Sequence, residues 1–200
     1  MNEVSPNTKT QSYTKSGLSV RQIAVIGVMT AVTCILAPFS VPIGPVPVSL
    51  TNLAIYFSIY ILGTKAGTIS YLVYLLIGFI GLPVFSGFTS GPEKLLGPTG
   101  GYLIGFILMA IIAGIFIDKF IFSSNPALGR LLCLLGMILG TAVCYVLEAA
   151  WLAYQSNMDF EAALFVGVIP FIPGDFIKMI FAMLAGPQIR KQLIRAGVQA

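Results

Sequence analysis

The sequence predicts an all-α polytopic membrane protein, a bundle of six transmembrane helices with long, re-entrant-like outer loops. Three observations carry this reading. No acidic or basic residue occurs between Arg21 and Lys65, and the stretches 66–92 and 95–117 are equally free of them. A soluble domain scatters charge along every element because its surface faces water, so most of this surface faces lipid. Hydrophobic residues make up 57% of the chain and charged residues 9%, against about 25% charged in an ordinary globular protein. Finally, a span needs roughly 20 apolar residues, which leaves room for about six spans and little else.

The elements follow in order. Residues 1–19 are polar and read as a flexible tail, without the basic start, apolar run and small-residue site that mark a cleavable signal. Residues 20–196 read as a single membrane domain. The first helix covers 19–37, with Ser19 as N-cap and Pro38 as its stop. The second covers 50–62 and the third 66–81, ending before Pro83; only Gly63, Thr64 and Lys65 separate them, which predicts a tight hairpin. The fourth covers 101–117 and the fifth 128–154. The last apolar region carries Pro170 and Pro173. Proline inside a helix removes a hydrogen bond and clashes, but in the first turn it does neither. This predicts a short surface helix over 159–168, then a sixth span from about Ile172 that continues past Pro187 as a bent end.

Lysine and arginine fix the expected orientation, because they concentrate in cytoplasmic loops. With the N-terminus inside, Lys9, Lys15, Arg21, Lys65, Lys119, Arg130, Arg190, Lys191 and Arg195 are all cytoplasmic, Lys94 alone is outside, and Lys178 lies within a span. Both termini are then cytoplasmic. The same rule accounts for the net charge of +4 without nucleic acid. The outer connections, 38–49 and 82–100, are rich in Pro and Gly, nearly uncharged, and carry Phe39, Phe85 and Phe88. Loops of that length are uncommon unless they serve as lids or binding loops. Such apolar loops are poorly solvated unless they fold back over the helices.

Three charged residues remain inside the spans: Glu148, Asp175 and Lys178. Each costs at least ~3 kcal/mol at the membrane centre, so such residues pair, face the bundle interior or line a wet cavity. Asp175 and Lys178 are one turn apart on one face of the last helix. Glu148 shares a face with Tyr145 and Trp151. The predicted topology puts all three charges in the outer half of the membrane, where two acids and one base leave room for a polar ligand, a proton or water. A buried network that only ties two helices together is the alternative. The run from Gly97 to Tyr102 opens the fourth helix; Gly100 and Gly101 allow close approach to the backbone, and free amides at a helix start favour an anion. A tight turn explains the same glycines. Ala24, Gly27 and Ala31 form a small-residue face on the first helix, suited to close packing within the fold or against another protein.

Much chemistry is excluded. The chain has no histidine and no G-x-x-x-x-G-K-[ST] loop, so Ser-His hydrolysis, histidine-bound metal and phosphate-loop ATP hydrolysis are out. Cys34, Cys133 and Cys144 sit in apolar stretches as small hydrophobes, and no cofactor or metal is expected.

The segments ILGTKAGTISYLVYLLIGFIGLPVFSG, LLGPTGGYLIGF, FIPGDFIKMIFAMLAG and VPIGPVPVSLTNLAIYF together resemble the BioY family, the biotin-specific substrate-binding subunits of energy-coupling factor transporters. The resemblance covers roughly 21–190 and leaves out the tail. It implies a non-enzymatic six-helix subunit of a prokaryotic plasma membrane. Such a subunit captures biotin from outside and delivers it with a transmembrane coupling subunit and two cytoplasmic ATPases. It also implies that the face of Ala24, Gly27 and Ala31 contacts the coupling subunit, through a degenerate form of the family's Ala-x-x-x-Ala-like motif. For biotin, Trp151, Tyr145, Tyr102 and Phe88 offer aromatic walls. Asp175 can accept from a ureido N–H, Lys178 can donate to the ureido carbonyl, and Asn52 can do either. The carboxylate can sit by the amides of Gly100, Gly101 and Tyr102, or the ends can be reversed with Lys178 on the carboxylate. A stand-alone biotin carrier is a second reading. An integral membrane enzyme using Glu148 and Asp175 as acid and base is a remote third.

Overall fold

The computed structural model describes residues 19–43 and 46–197. Most of the expected tail, with Lys9 and Lys15, and Pro45 of the first outer connection lie outside the described residues. The first helix, α1 (Val20–Leu36), starts as its sequence dictates. The Ser19 hydroxyl accepts from the Gln22 amide while the Gln22 side chain accepts from the Ser19 amide, a reciprocal cap. A two-stranded hairpin follows, β1 (Ser40–Ile43) and β2 (Val46–Ser49). No strand is expected here from the sequence, because proline demotes a strand. The register resolves this: Pro42 faces Pro47 across the antiparallel pair. The sites between hydrogen-bonded pairs need no N–H from either residue, so both prolines fit.

Helix α2 (Thr51–Ile80) is two antiparallel arms rather than one rod, because Gly63 sits at φ 79, ψ 176 and breaks the helix. The return is tight: a Cβ on Gly67 would lie 3.0 Å from the Ile59 Cα. The arms are the expected second and third spans. The Asp118 carboxylate seals the turn, accepting from the Thr64 amide at 2.8 Å and its hydroxyl at 2.6 Å. Arg190 donates to its other oxygen. The second outer connection holds a short helix, α3 (Pro92–Leu96), and folds back as its apolar content requires. Phe85 is fully buried, edge-on to Tyr74 and flat against Gly78, where a Cβ would overlap its ring. Burying such a ring is worth roughly 2–3 kcal/mol.

Helices α4 (Gly100–Phe120) and α5 (Pro126–Ser156) form the most extensive contact in the bundle. Each runs a turn or less beyond expectation; α5 begins earlier because Asn125 caps it, accepting from the amides of Ala127 and Leu128. A short surface helix, α6 (Phe160–Gly167), and a 3-10 turn, Ile169–Phe171, lead into α7 (Ile172–Arg195), with Pro173 in its first turn and Pro187 inside it. The chain is a multi-pass membrane protein: α2, α4, α5 and the α6–α7 region are long and apolar enough to cross a bilayer, and α1 is a shorter apolar helix. The first arm of α2, 51–62, is roughly 18 Å long at the helical rise, well short of the ~30 Å hydrocarbon core. The space above its start is filled by the hairpin and by a cavity.

Candidate functional site

The cavity measures about 480 Å³, counting the space open to solvent at its mouth. Its walls come from Val46 and Ser49 of β2, Asn52 and Tyr74 of α2, Tyr102 and Phe106 of α4, Phe171 of the 3-10 turn, and Asp175 and Lys178 at the start of α7. The prolines that break the last apolar region place Asp175 in the first turn of α7 and Lys178 one turn deeper, so both reach the same space. Lys178 Nζ donates to Asp175 Oδ1 at 2.9 Å, to the Ser49 carbonyl at 2.6 Å and to Asn52 Oδ1 at 3.1 Å. All three ammonium protons are thereby engaged. Tyr145 donates to the second Asp175 oxygen at 2.8 Å. The pair is nearly buried, and both carboxylate oxygens and the ammonium are hydrogen-bonded, which is what makes charges tolerable away from water. Asn52 turns its oxygen to Lys178 and to the Leu53 amide. Its amide nitrogen has no recorded partner among the described residues. The site thus offers a carboxylate acceptor, an ammonium and an amide donor within one aromatic chamber.

Other expected site residues lie elsewhere. Glu148 is fully buried but is not part of the cavity lining, and no bond joins it to Asp175 or Lys178. Its Oε2 accepts from the Tyr102 amide at 2.7 Å, while Oε1 has no partner among the described residues. The anion expected at the start of α4 is therefore this protein's own side chain. Gly100 and Gly101 are not open to a ligand either. A Cβ on Gly101 would come within 2.6 Å of Glu148 Oε2 and 2.7 Å of the Trp151 Cβ, and one on Gly100 would overlap the Leu95 carbonyl. These glycines let α4 lie directly on α5. Trp151 points back to this junction and donates to the Gly97 carbonyl at 2.8 Å. Tyr102 does line the cavity, and its hydroxyl is held by the Gly167 carbonyl. Tyr145 stands behind Asp175, perpendicular to the Tyr102 ring. Phe88 is 61% exposed and packs edge-on to Phe39 outside the chamber. Its backbone lies at φ 58, next to Gly87 at φ 75, a turn that swings the side chain away.

Sequence reasoning missed several lining groups. Ser49 contributes through its backbone carbonyl, which no side-chain pattern reveals. Phe106 and Tyr74 look like ordinary core aromatics in an apolar run. Phe171, between Pro170 and Pro173, carried a usable signal: an aromatic at a forced helix start beside Asp175. On the opposite side of the bundle, Ala24, Gly27 and Ala31 are exposed, and nothing lies within 4 Å of a Cβ on Gly27. The buried side of α1 is instead Ile26, Met29, Thr30 and Thr33, with Thr30 bonded to Ser70 of α2. The small-residue face therefore does not pack within the fold.

A sequence model of the BioY family matches residues 8–195. The chain belongs to the BioY family. The biotin transporter BioY of Thermotoga maritima is 37% identical over 173 residues, spanning 86% of this chain and 97% of that protein. The biotin transporter BioY of Lactococcus lactis subsp. cremoris is 34% identical over 189 residues, 93% of this chain and 94% of its own length. A crystal structure of the S-component for biotin from an ECF-type ABC transporter superposes with a TM-score of 0.77 at 34% identity, covering 88% of this chain and 95% of that one. These relatives are named as transporters.

Proposed function

We propose that this chain binds biotin in the chamber between β2, α2, α4 and α7, as the substrate-capturing subunit of an energy-coupling factor transporter. The observation that carries the reading is the Asp175–Lys178–Asn52 cluster, which opens into a cavity walled by Tyr74, Tyr102, Phe106 and Phe171. Biotin's ureido ring presents two N–H donors and one carbonyl. Asp175 keeps spare lone pairs for an N–H, and the Asn52 amide nitrogen meets the carbonyl. Tyr74, Tyr102, Phe106 and Phe171 supply apolar wall for the fused rings and the chain. Glu148 takes the Tyr102 amide and the Gly97 carbonyl takes the Gly100 amide at the start of α4, which favours the ureido end at the cluster and the carboxylate toward the hairpin mouth.

The subunit is non-enzymatic in this reading, lies in a prokaryotic plasma membrane with both termini cytoplasmic, and works with a coupling subunit and two ATPases. The exposed Ala24, Gly27 and Ala31 face favours a partner over a solitary carrier, because it leaves a backbone free for close helix contact. Isothermal titration of the purified chain with biotin is the deciding measurement. Saturable 1:1 binding is expected at micromolar or lower concentration; no heat and no competition at that level would remove the proposal. Biotin must be recovered unchanged.

A further inference from the structure

A second cavity lies at the opposite end of the bundle, between the α4–α5 connection and the C-terminal half of α7. It measures about 930 Å³, counting the space open to its surroundings. Its floor is apolar, with Cys133, Ile121, Met183 and Pro187. Tyr60 lines it from the first arm of α2 and is itself fully buried, with its hydroxyl beside the Cys133 thiol. Its rim carries Arg130 and Lys191, and neither makes an ion pair among the described residues. The neighbouring Arg190 is already spent on Asp118 and the Phe122 ring.

We infer that this cavity holds the headgroup and first acyl carbons of an anionic phospholipid. Two unpaired cations above an apolar slot, at the end of a membrane bundle, match a negatively charged amphiphile in both polarity and depth. Basic pockets between helices on the cytoplasmic side are suited to anionic headgroups. The flanking side chains Leu128, Leu131 and Ile194 are exposed, so the slot is continuous with a surface that faces acyl chains. The inference uses only the spanning of a bilayer and is independent of what occupies the chamber at the other end.

The test is native mass spectrometry of the full chain, delipidated in detergent and given equal phosphatidylglycerol and phosphatidylcholine. Retention of phosphatidylglycerol is expected to exceed phosphatidylcholine by on the order of tenfold. The Arg130→Gln/Lys191→Gln double variant should lose that preference, whereas Lys119→Gln, outside the cavity, should keep it. Biotin titration of the double variant, unaffected by design, separates failure here from failure at the chamber. Equal retention of both lipids, or a preference that survives the double variant, overturns the inference. Displacement by millimolar inorganic phosphate assigns the cavity to a free anion and overturns it too. So does lipid indifference combined with loss of a copurifying protein in the double variant, which would give the rim to an acidic peptide.

Discussion

At the scale of single residues the chamber is a closed hydrogen-bond circuit, and each member has a distinct expected effect. Lys178→Ala removes the only cation and leaves Asp175 a buried carboxylate with one partner; biotin affinity should fall by about 1–3 kcal/mol, read by titration calorimetry. Asp175→Asn should cost a similar amount, since it leaves the ammonium uncompensated. Tyr145→Phe touches no ligand but frees one Asp175 oxygen, and should weaken binding by only ~0.5–1.5 kcal/mol. If all three variants bind as the parent does, the site lies elsewhere. Glu148 belongs to a different class. Glu148→Gln keeps an acceptor for the Tyr102 amide, whereas Glu148→Ala strips it and opens a void. The Ala variant should therefore melt lower, by about 2–4 kcal/mol of stability, while the Gln variant stays close to the parent. This distinction was not legible in the sequence. There, Glu148, Asp175 and Lys178 are alike as charges in apolar runs, and only the packing of α4 on α5 shows that one charge answers a helix start and two answer a cavity.

At the scale of elements, helix positions were legible because prolines and charge gaps mark them: Pro38, Pro83, Pro126 and Pro173 all stand at or near ends. The β-hairpin was not, because its strands carry proline and its register is set by facing pairs that only three dimensions display. The α4–α5 seam hid in plain composition. Gly101 and Gly105 on α4 abut Glu148 and Cys144, and Gly136 and Gly140 on α5 abut Phe116 and Met109. Reading Gly100 and Gly101 for ligand access overlooked that the same spacing serves close helix contact in lipid. Two substitutions separate the seam from the outer face. Gly140→Ala places a Cβ 2.9 Å from the Met109 carbonyl, a rigid neighbour, and should lower stability by about 1–3 kcal/mol. Gly27→Leu meets nothing within the chain, so the isolated protein should melt and bind biotin as before. It should nonetheless fail to copurify with a coupling subunit if α1 is the docking face. A Gly27→Leu protein that still assembles would move that face to another helix.

At the scale of the whole molecule, the two ends of the bundle have opposite chemistry. One end carries the hairpin, Phe39, Phe88 and the chamber. The other collects Lys65, Lys119, Arg130, Arg190 and Lys191 and is fastened by Asp118, which joins the α2 turn, α4 and α7 through Thr64 and Arg190. A bilayer reads that asymmetry as orientation, since lysine and arginine are retained on the cytoplasmic side. On this rule the chamber is expected to open outward, as capture of an external vitamin requires. The two statements are independent, so orientation can be measured without any ligand. In a background with Cys34, Cys133 and Cys144 replaced by alanine, Thr89→Cys on the chamber side and Ser124→Cys in the α4–α5 connection are both exposed positions. A membrane-impermeant maleimide added to intact cells should label the cysteine at 89 and reach the one at 124 only after lysis. The opposite pattern would turn the bundle over, place the chamber on the cytoplasmic side, and leave biotin binding without a route to uptake.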